Sequence, residues 1–273
     1  MGLRINTNIA SLNAQNNLSN VTMRLQGNYS RLSSGLRITR GSDDAAGLAL
    51  SEKMRAKVKS YDQAGRNAQD GISLVQTAEG SLEETGNILN RIRELAVQSA
   101  NGTLGTSERT TINNEVQSLV SEIDRIANTT EFNGVSLLNG SNATASIQVG
   151  ISANATIDVG MQNATATTLG VNAISAASVT NANLAITAVD AAITTLAQSR
   201  GALGTSQNRL QSAFSTIKTA RENLSAAESR IRDVDVASES ADLTRNSIMQ
   251  QAAVSILSQA NQQPQVAAQL LRN

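Results

Sequence analysis

Few residues in this chain have the types and spacing that chemistry needs. Ser215-Thr216-Ile217-Lys218 has the Ser-x-x-Lys spacing at which a lysine can relieve a serine of its proton. It lies inside a long apolar repeat, however, and the motifs that accompany it in lactamases are absent. Asp43-Asp44 and Asp233-x-Asp235 offer carboxylates to a metal, but adjacent helical residues do not face each other and no Asp-x-Asp-x-Asp-Gly loop is present. They read better as a helix start and a solvated link. Gly-x-Gly, Gly-x-x-x-x-Gly-Lys and Gly-x-Ser-x-Gly are all missing, so dinucleotide binding, phosphate binding and esterase chemistry have no support. With no Cys and no His there is no thiolate nucleophile, imidazole base or disulfide, and zinc would find only carboxylates. The expectation is a non-enzyme without cofactor or metal.

Composition points the same way. Of 273 residues 40% are apolar, yet only 1% are aromatic, and there is a single proline, Pro264. A narrow helix seam needs Leu, Ile, Val and Ala rather than aromatic area, and long helices tolerate little proline. The 22 basic and 22 acidic residues cancel, so nothing steers the chain to nucleic acid or an anionic membrane. No apolar run approaches transmembrane length. The N-terminal stretch lacks the continuous apolar core of a secretory signal, which leaves a cytoplasmic protein or an export route that reads no cleaved signal.

The elements follow from periodicity. From Ile186 to Ile231 apolar residues recur every three and four positions, and the row Val189, Leu196, Leu203, Leu210, Ile217, Leu224, Ile231 is unbroken. A 3.5-residue repeat held this long predicts a helix of roughly 70 Å with one seam against an equally long companion. A short helix is expected over 45–58, a further one over 67–99, and another over 108–128 capped by Thr106 or Ser107. Between 132 and 183 the composition shifts to Ala, Thr, Asn, Ser and Gly. There Ile147-Gln148-Val149 and Ile157-Asp158-Val159 alternate as a β-hairpin would, and a flexible loop is the competing reading. Hydroxyls over 141–183 are open to modification if exposed.

The two ends resemble each other: amide-rich, with thin apolar stripes. Ile5, Ile9, Leu12, Leu18, Val21 and Leu25 mark the first, with Ile248, Ala252 and Ile256 beyond the polar run at 232–235 and Leu270 in a tail after Pro264. Each end buries too little apolar surface to order alone, so the expectation is that they fold against each other, and against neighbouring subunits, in an assembly. On the 67–99 helix, Arg91, Leu95 and Gln98 cluster on a flank away from the Leu82, Leu89, Ile92, Ala96 seam, either as a solvated flank or as a contact surface.

In order along the chain, Ile5-Asn6-Thr7-Asn8, Arg31 to Ile38, Asp43-Asp44-Ala45-Ala46-Gly47, Arg66 to Ile72, Arg91 to Asn101, Phe132-Asn133-Gly134, Gln207-Asn208-Arg209-Leu210, Ser229-Arg230-Ile231, Gln250-Gln251-Ala252 and Gln259 to Gln262 resemble bacterial flagellin over nearly the whole sequence. The resemblance implies a mainly α fold: long coiled-coil helices in an antiparallel bundle with a small β-hairpin region and paired N- and C-terminal helices. It implies a terminal coiled-coil domain of 1–44 with 235–273, a helical bundle of 45–140 with 184–234, and a short variable segment, 141–183, in place of large outer domains. It further implies a filament subunit for motility, exported unfolded through the flagellar type III apparatus. The implied partners are further copies, an export chaperone, a distal cap and hook-associated proteins, with the filament outside the cell. In the family a Toll-like receptor contacts the flank matching Arg91, Leu95 and Glu115, and cytosolic sensors read the C-terminal leucines, here Leu270 and Leu271. A hook–filament junction protein, a soluble host-receptor ligand and a peptidase carried in the insert are the competing readings. The short, His-free insert weighs against the last.

Overall fold

In the computed structural model, residues 7–270 are described, with side chains described up to Pro264. The order is α1 (Ile9–Ser34), α2 (Ala45–Ser99), α3 (Thr106–Thr129), β1 (Glu131–Phe132), β2 (Val135–Ser136), β3 (Thr144–Gln148), β4 (Thr156–Gly160), α4 (Val179–Arg232) and α5 (Val236–Leu270). The contacts divide it into two compact units: Lys57–Glu222, and the residues up to Ala56 with those from Asn223 on.

The Lys57–Glu222 unit is an antiparallel bundle of α2, α3 and α4. The unbroken row read from sequence is the buried one: Val189, Leu196, Leu203, Leu210 and Ile217 all lie in the core. The first four meet Val75, Ala78, Leu82, Leu89, Ile92 and Ala96 of α2 and Ile112, Val116, Val120 and Ile123 of α3. Register between α2 and α4 is marked by Arg93–Asp190 at 2.7 Å, Arg200–Glu79 at 3.7 Å and Arg221–Asp62 at 2.5 Å. From Asp62 to Arg93 and from Asp190 to Arg221 the two helices advance equally, so the zipper does not slip.

Two expectations about helices are corrected. The predicted helices over 45–58 and 67–99 are one continuous helix, α2. Between them only Gly65 disfavours a helix, at a propensity cost of about 1 kcal/mol, and the helix runs on through it; a Cβ there would make only ordinary contact with Ile217 and Phe214. Nor does α3 use Thr106 or Ser107 as a side-chain cap. Gly105 is its N-cap, and Glu108 supplies charge in the first turn.

The β-hairpin forms as β3 and β4, with Ile147 opposite Ile157 and Ser146 opposite Asp158. It docks on α2 through Asn67, whose Nδ2 donates to the Gln148 carbonyl at 3.0 Å, and over Gly71, where an added Cβ would meet Ile147 at 3.1 Å. The competing loop reading fails for a further reason. Residues 161–178 have no regular structure, yet Ala166, Val171 and Ala176 are fully buried. Their backbone is held by side chains of α2 and α3: Asp124 accepts from the Ala166 N–H, Asn113 accepts from the Ala176 N–H, Gln117 donates to the Ile174 carbonyl and Ser99 to that of Ala176. A buried irregular segment must satisfy its peptide groups in this way.

Arg109, unremarked in the sequence, closes the α2–α3 turn. Its guanidinium is buried and donates to the carbonyls of Ser99, Asn101 (3.1 Å) and Leu104 (2.7 Å). The Ser99 carbonyl is an acceptor at the negative end of α2, those of Asn101 and Leu104 belong to the turn, and together they take the place of a carboxylate partner.

In the other unit α1 and α5 pair antiparallel. α1 ends at Gly35, in the left-handed region at φ 71°, with its N–H on the Arg31 carbonyl at 2.8 Å. The connections beyond the two helices join: Leu36 bridges Asp233, and the Val234 N–H donates to the Gly35 carbonyl at 3.0 Å. Asp43 and Asp44 are spent on backbone. Asp44 Oδ1 accepts from the Gly47 N–H at the start of α2, and Asp43 Oδ2 accepts from the Thr39 N–H, the Thr39 hydroxyl and the Arg40 N–H. These bonds, the Arg40 one foremost, hold the Asp43 carboxyl below its ordinary value. A depressed carboxyl lends stability above its unfolded value and loses it as pH falls through the folded one. The 39–43 loop should therefore stay ordered from neutral pH to below about 4 and loosen only in stronger acid, read as faster amide exchange at Thr39 and Arg40. Asp43→Asn should loosen it already at neutral pH.

Candidate functional site

The surfaces offered to function are the α1–α5 pair and the Arg91 flank of the bundle. The seam of the pair is not the one expected. Leu25 is buried and Leu18 and Val21 are half-buried, but Ile9 and Leu12 remain 51% and 52% exposed. On α5, Ile248 and Ile256 are 61% and 58% exposed and Ala252 also faces out. The inward row is Ala14, Leu25 and Asn28 on α1 with Glu239, Asn246 and Ala260 on α5. Ile5 lies outside the described residues; Leu270 ends α5, and its side chain lies outside them. The helices pair through Leu25 and otherwise mainly small and polar residues, while Ile9, Leu12, Ile248 and Ile256 point away.

That polar seam is why the stripe misled. Asn28 Nδ2 donates to Glu239 Oε1 at 2.5 Å, Asn246 Nδ2 donates to Asn28 Oδ1 at 2.8 Å, and Arg31 reaches Glu239 at 3.8 Å. A satisfied polar layer inside a helix pair costs stability but fixes register, because a slipped pairing strands its members. Read from sequence, these amides pass for solvent-facing residues.

Asn8 and Pro264 form a second register point. α5 runs through Pro264 to Leu270 rather than ending in a tail. A proline has no N–H for the carbonyl four residues back, which leaves Ala260 without its helical donor. Asn8 Nδ2 fills the gap, donating to the Ala260 carbonyl at 2.7 Å, while its Oδ1 caps α1 by accepting from the Ser11 N–H at 3.1 Å. Asn8→Asp should keep the cap and lose the cross-helix bond, costing about 1 kcal/mol or more of pair stability. In a Pro264→Ala background, where the alanine supplies the missing N–H, the same change should cost much less. Thermal unfolding of the four proteins of that cycle measures the coupling.

On the bundle, Arg91 and Glu115 are brought together: Arg91 Nη2 donates to Glu115 Oε1 at 2.9 Å and Nη1 to Glu94 Oε2 at 3.2 Å. Those hydrogen bonds, Glu115 first, raise the guanidinium above its ordinary value. Leu95 is a correction. It is only 3% exposed and belongs to the core with Ile88 and Ile92. The single seam assumed for this helix was too narrow: α2 packs against α3 on the Arg91 side and α4 on the Arg93 side, and two partners bury a wider arc.

None of this is catalytic. Ser215 Oγ donates to the Gln211 carbonyl of its own helix, not to Lys218, and Asp235 caps α5 by accepting from the Ala237 and Ser238 N–H groups. Among the described residues no cluster of three or more acidic side chains could hold a metal ion, and no helix is long and apolar enough to cross a membrane.

Paired long helices with apolar side chains left outward are the architecture of a coiled-coil protein. Known proteins narrow this. The bacterial flagellin N-terminal helical region matches residues 5–143, and the C-terminal helical region matches 186–271. The chain is 47% identical over 271 residues to a flagellin of Halalkalibacterium halodurans, covering 98% of this chain and 99% of that one. It is 44% identical over 306 residues to Bacillus subtilis flagellin, covering 99% and 100%, and 44% identical over 284 residues to the flagellar filament 33 kDa core protein of Treponema phagedenis, covering 98% and 99%. The Bacillus cereus flagellin crystal structure superposes with TM-score 0.52 at 30% identity, over 60% of this chain and 94% of that one. A flagellar hook-associated protein of Vibrio parahaemolyticus, 15% identical with TM-score 0.59, shares the fold. The chain belongs to the bacterial flagellin family, and it is a structural protein of the flagellar filament, not an enzyme.

Proposed function

We propose that this chain polymerises with copies of itself, or with sister flagellins, into the extracellular filament that drives motility, and that its terminal helices make the contacts. The observation that carries this is the outward apolar set Ile9, Leu12, Ile248 and Ile256 on a pair whose own seam, Leu25 apart, is small and polar. Surface of this kind in a chain of net charge zero marks a protein–protein contact. We assign the terminal domain to 1–44 with 235–273 and the bundle domain to 45–140 with 184–234, the short 141–183 segment replacing outer domains, whereas the compact units of the chain divide after Ala56 and before Asn223. Delivery fits unfolded passage through the type III apparatus, since a chain without cysteine has no disulfide to hold it folded, aided by an export chaperone, a distal cap and hook-associated proteins. The direct test adds purified monomer to preformed filament fragments. Elongation followed by light scattering supports the reading; a monomer that never extends them contradicts it and favours a junction protein of the same fold.

A receptor role rests on less. Arg91 and Glu115 are exposed and jointly oriented, which suits recognition of the monomer by a host Toll-like receptor. Leu95, being buried, supports the flank instead of touching a partner. Arg91→Ala should weaken receptor signalling by monomer while leaving the helix content unchanged, and equal signalling removes the role.

A further inference from the structure

Three Asn-Gly pairs lie in turns of the bundle unit: Asn101-Gly102, Asn133-Gly134 and Asn139-Gly140. In such a pair the peptide nitrogen after the asparagine can attack the side-chain amide, because glycine puts no Cβ in the way. The surroundings of the three differ. Asn133 sits at φ 51° and Gly134 at φ 77° in the two-residue turn that joins β1 to β2, so ring closure there has to open a paired turn. Gly140, at φ 77°, is pressed against Asn163, whose side chain an added Cβ would strike. Around Gly102 there is open space, and among the described residues its N–H donates to no acceptor. Asn101 is exposed, and its turn is closed by a long bond from the Leu104 N–H at 3.4 Å.

Two further hydrogen bonds tune this pair. Asn101 Oδ1 accepts from the Thr103 N–H at 3.2 Å, which draws electrons from Cγ, the atom to be attacked. The Asn101 carbonyl accepts from Arg109 Nη1 at 3.1 Å. That carbonyl and the Gly102 N–H belong to one conjugated peptide group, so the guanidinium makes the N–H easier to deprotonate. Arg109 is buried, and a charge there acts on such a neighbour more strongly than one in water.

We propose that Asn101 is a site of spontaneous covalent modification, at which Arg109 directs conversion to isoaspartate. Gly102 N gives up its proton and bonds to Asn101 Cγ, and the side-chain nitrogen leaves as ammonia. The resulting ring holds Gly102 N between the side-chain and main-chain carbonyls of residue 101. Water then adds to one of the two and breaks its bond to nitrogen. Addition at the main-chain carbonyl, the one Arg109 faces, frees it as a carboxylate and routes the backbone through the side chain, which is isoaspartate. Addition at the other gives aspartate. The guanidinium stabilises the charge that develops on the first and pairs with the carboxylate it becomes. Nothing is oxidised or reduced, and water is the reagent. The neutral α2–α3 turn thereby gains a negative charge and one backbone atom.

The test incubates the full chain, folded and in guanidinium chloride, in warm, mildly alkaline buffer. Peptide mass spectrometry follows loss of the side-chain amide at each pair, and an isoaspartyl-specific carboxyl methyltransferase counts isoaspartate. In denaturant the three pairs should react at rates within about threefold of one another. In the folded chain Asn101 should lead the other two by at least about tenfold, with a larger share of isoaspartate than it gives in denaturant. Gly102→Ala, at a position with room for the methyl group, should slow the loss at Asn101 by at least about tenfold and leave helix content unchanged. Equal rates at the three pairs in the folded chain, an unslowed Gly102→Ala, or an isoaspartate share at Asn101 no greater than in denaturant overturns the proposal. The comparison of shares needs no substitution at Arg109, whose loss would itself loosen the turn.

Discussion

Leu12→Glu and Ile256→Glu should each abolish filament growth while leaving the monomer intact. Both side chains are more than half exposed in the single chain, and a substitution at such a site changes monomer stability by about 0.5 kcal/mol or less. In the assembly proposed above the same positions face a neighbouring copy, and an unpaired carboxylate enclosed there costs several kcal/mol at every contact. A contact repeated along the polymer turns that cost into loss of growth. The check is elongation on filament fragments, with thermal unfolding of the bundle as control. Filaments of normal length from either variant would remove these residues from the interface. Leu25→Glu should act differently, since Leu25 is buried within the pair, and should disturb the monomer's own α1–α5 contact as well.

The largest loss of monomer stability is expected at Arg109. Its guanidinium serves carbonyls of Ser99, Asn101 and Leu104, and hydrogen bonds from a charged donor contribute about 1.5–3 kcal/mol each before relaxation. Arg109→Ala strands those acceptors beside a cavity, so a loss of about 3 kcal/mol or more in bundle stability is expected from denaturant unfolding. Arg109→Lys should recover only part of it, because an ammonium lacks the planar fork that spans acceptors from three residues. A change below about 1 kcal/mol on Arg109→Ala would mean the turn is held elsewhere.

What could be read without coordinates follows from which forces leave a periodic trace. The seam of α4 was legible because apolar burial repeats with the helix, and the β3–β4 hairpin because alternation survives even in five-residue strands. The unity of α2 was hidden by Gly65, a poor helix former through which the helix nevertheless continues. Leu95 was misplaced because one seam was assumed where α2 serves two neighbours. The α1–α5 seam was least legible of all. It is built from Asn28, Glu239, Asn246 and the Asn8–Ala260 bond, and hydrogen-bond complementarity between distant segments has no period to detect. Residues 161–178 were unreadable for the same reason: their burial depends on Asp124, Asn113 and Gln117 reaching peptide groups far away in sequence.

The central claim is that α1 and α5 hold a marginal pair in the single chain and become firmly ordered when neighbouring copies cover Ile9, Leu12, Ile248 and Ile256. Amide hydrogen exchange of α1 and α5, compared between monomer and filament, measures this most directly. The account predicts fast exchange across both helices in the monomer, well ahead of the α2–α4 core, and strong protection of both in the filament. Equal protection of the two helices in monomer and filament would contradict it, since the terminal pair would then owe its order to the single chain and not to assembly.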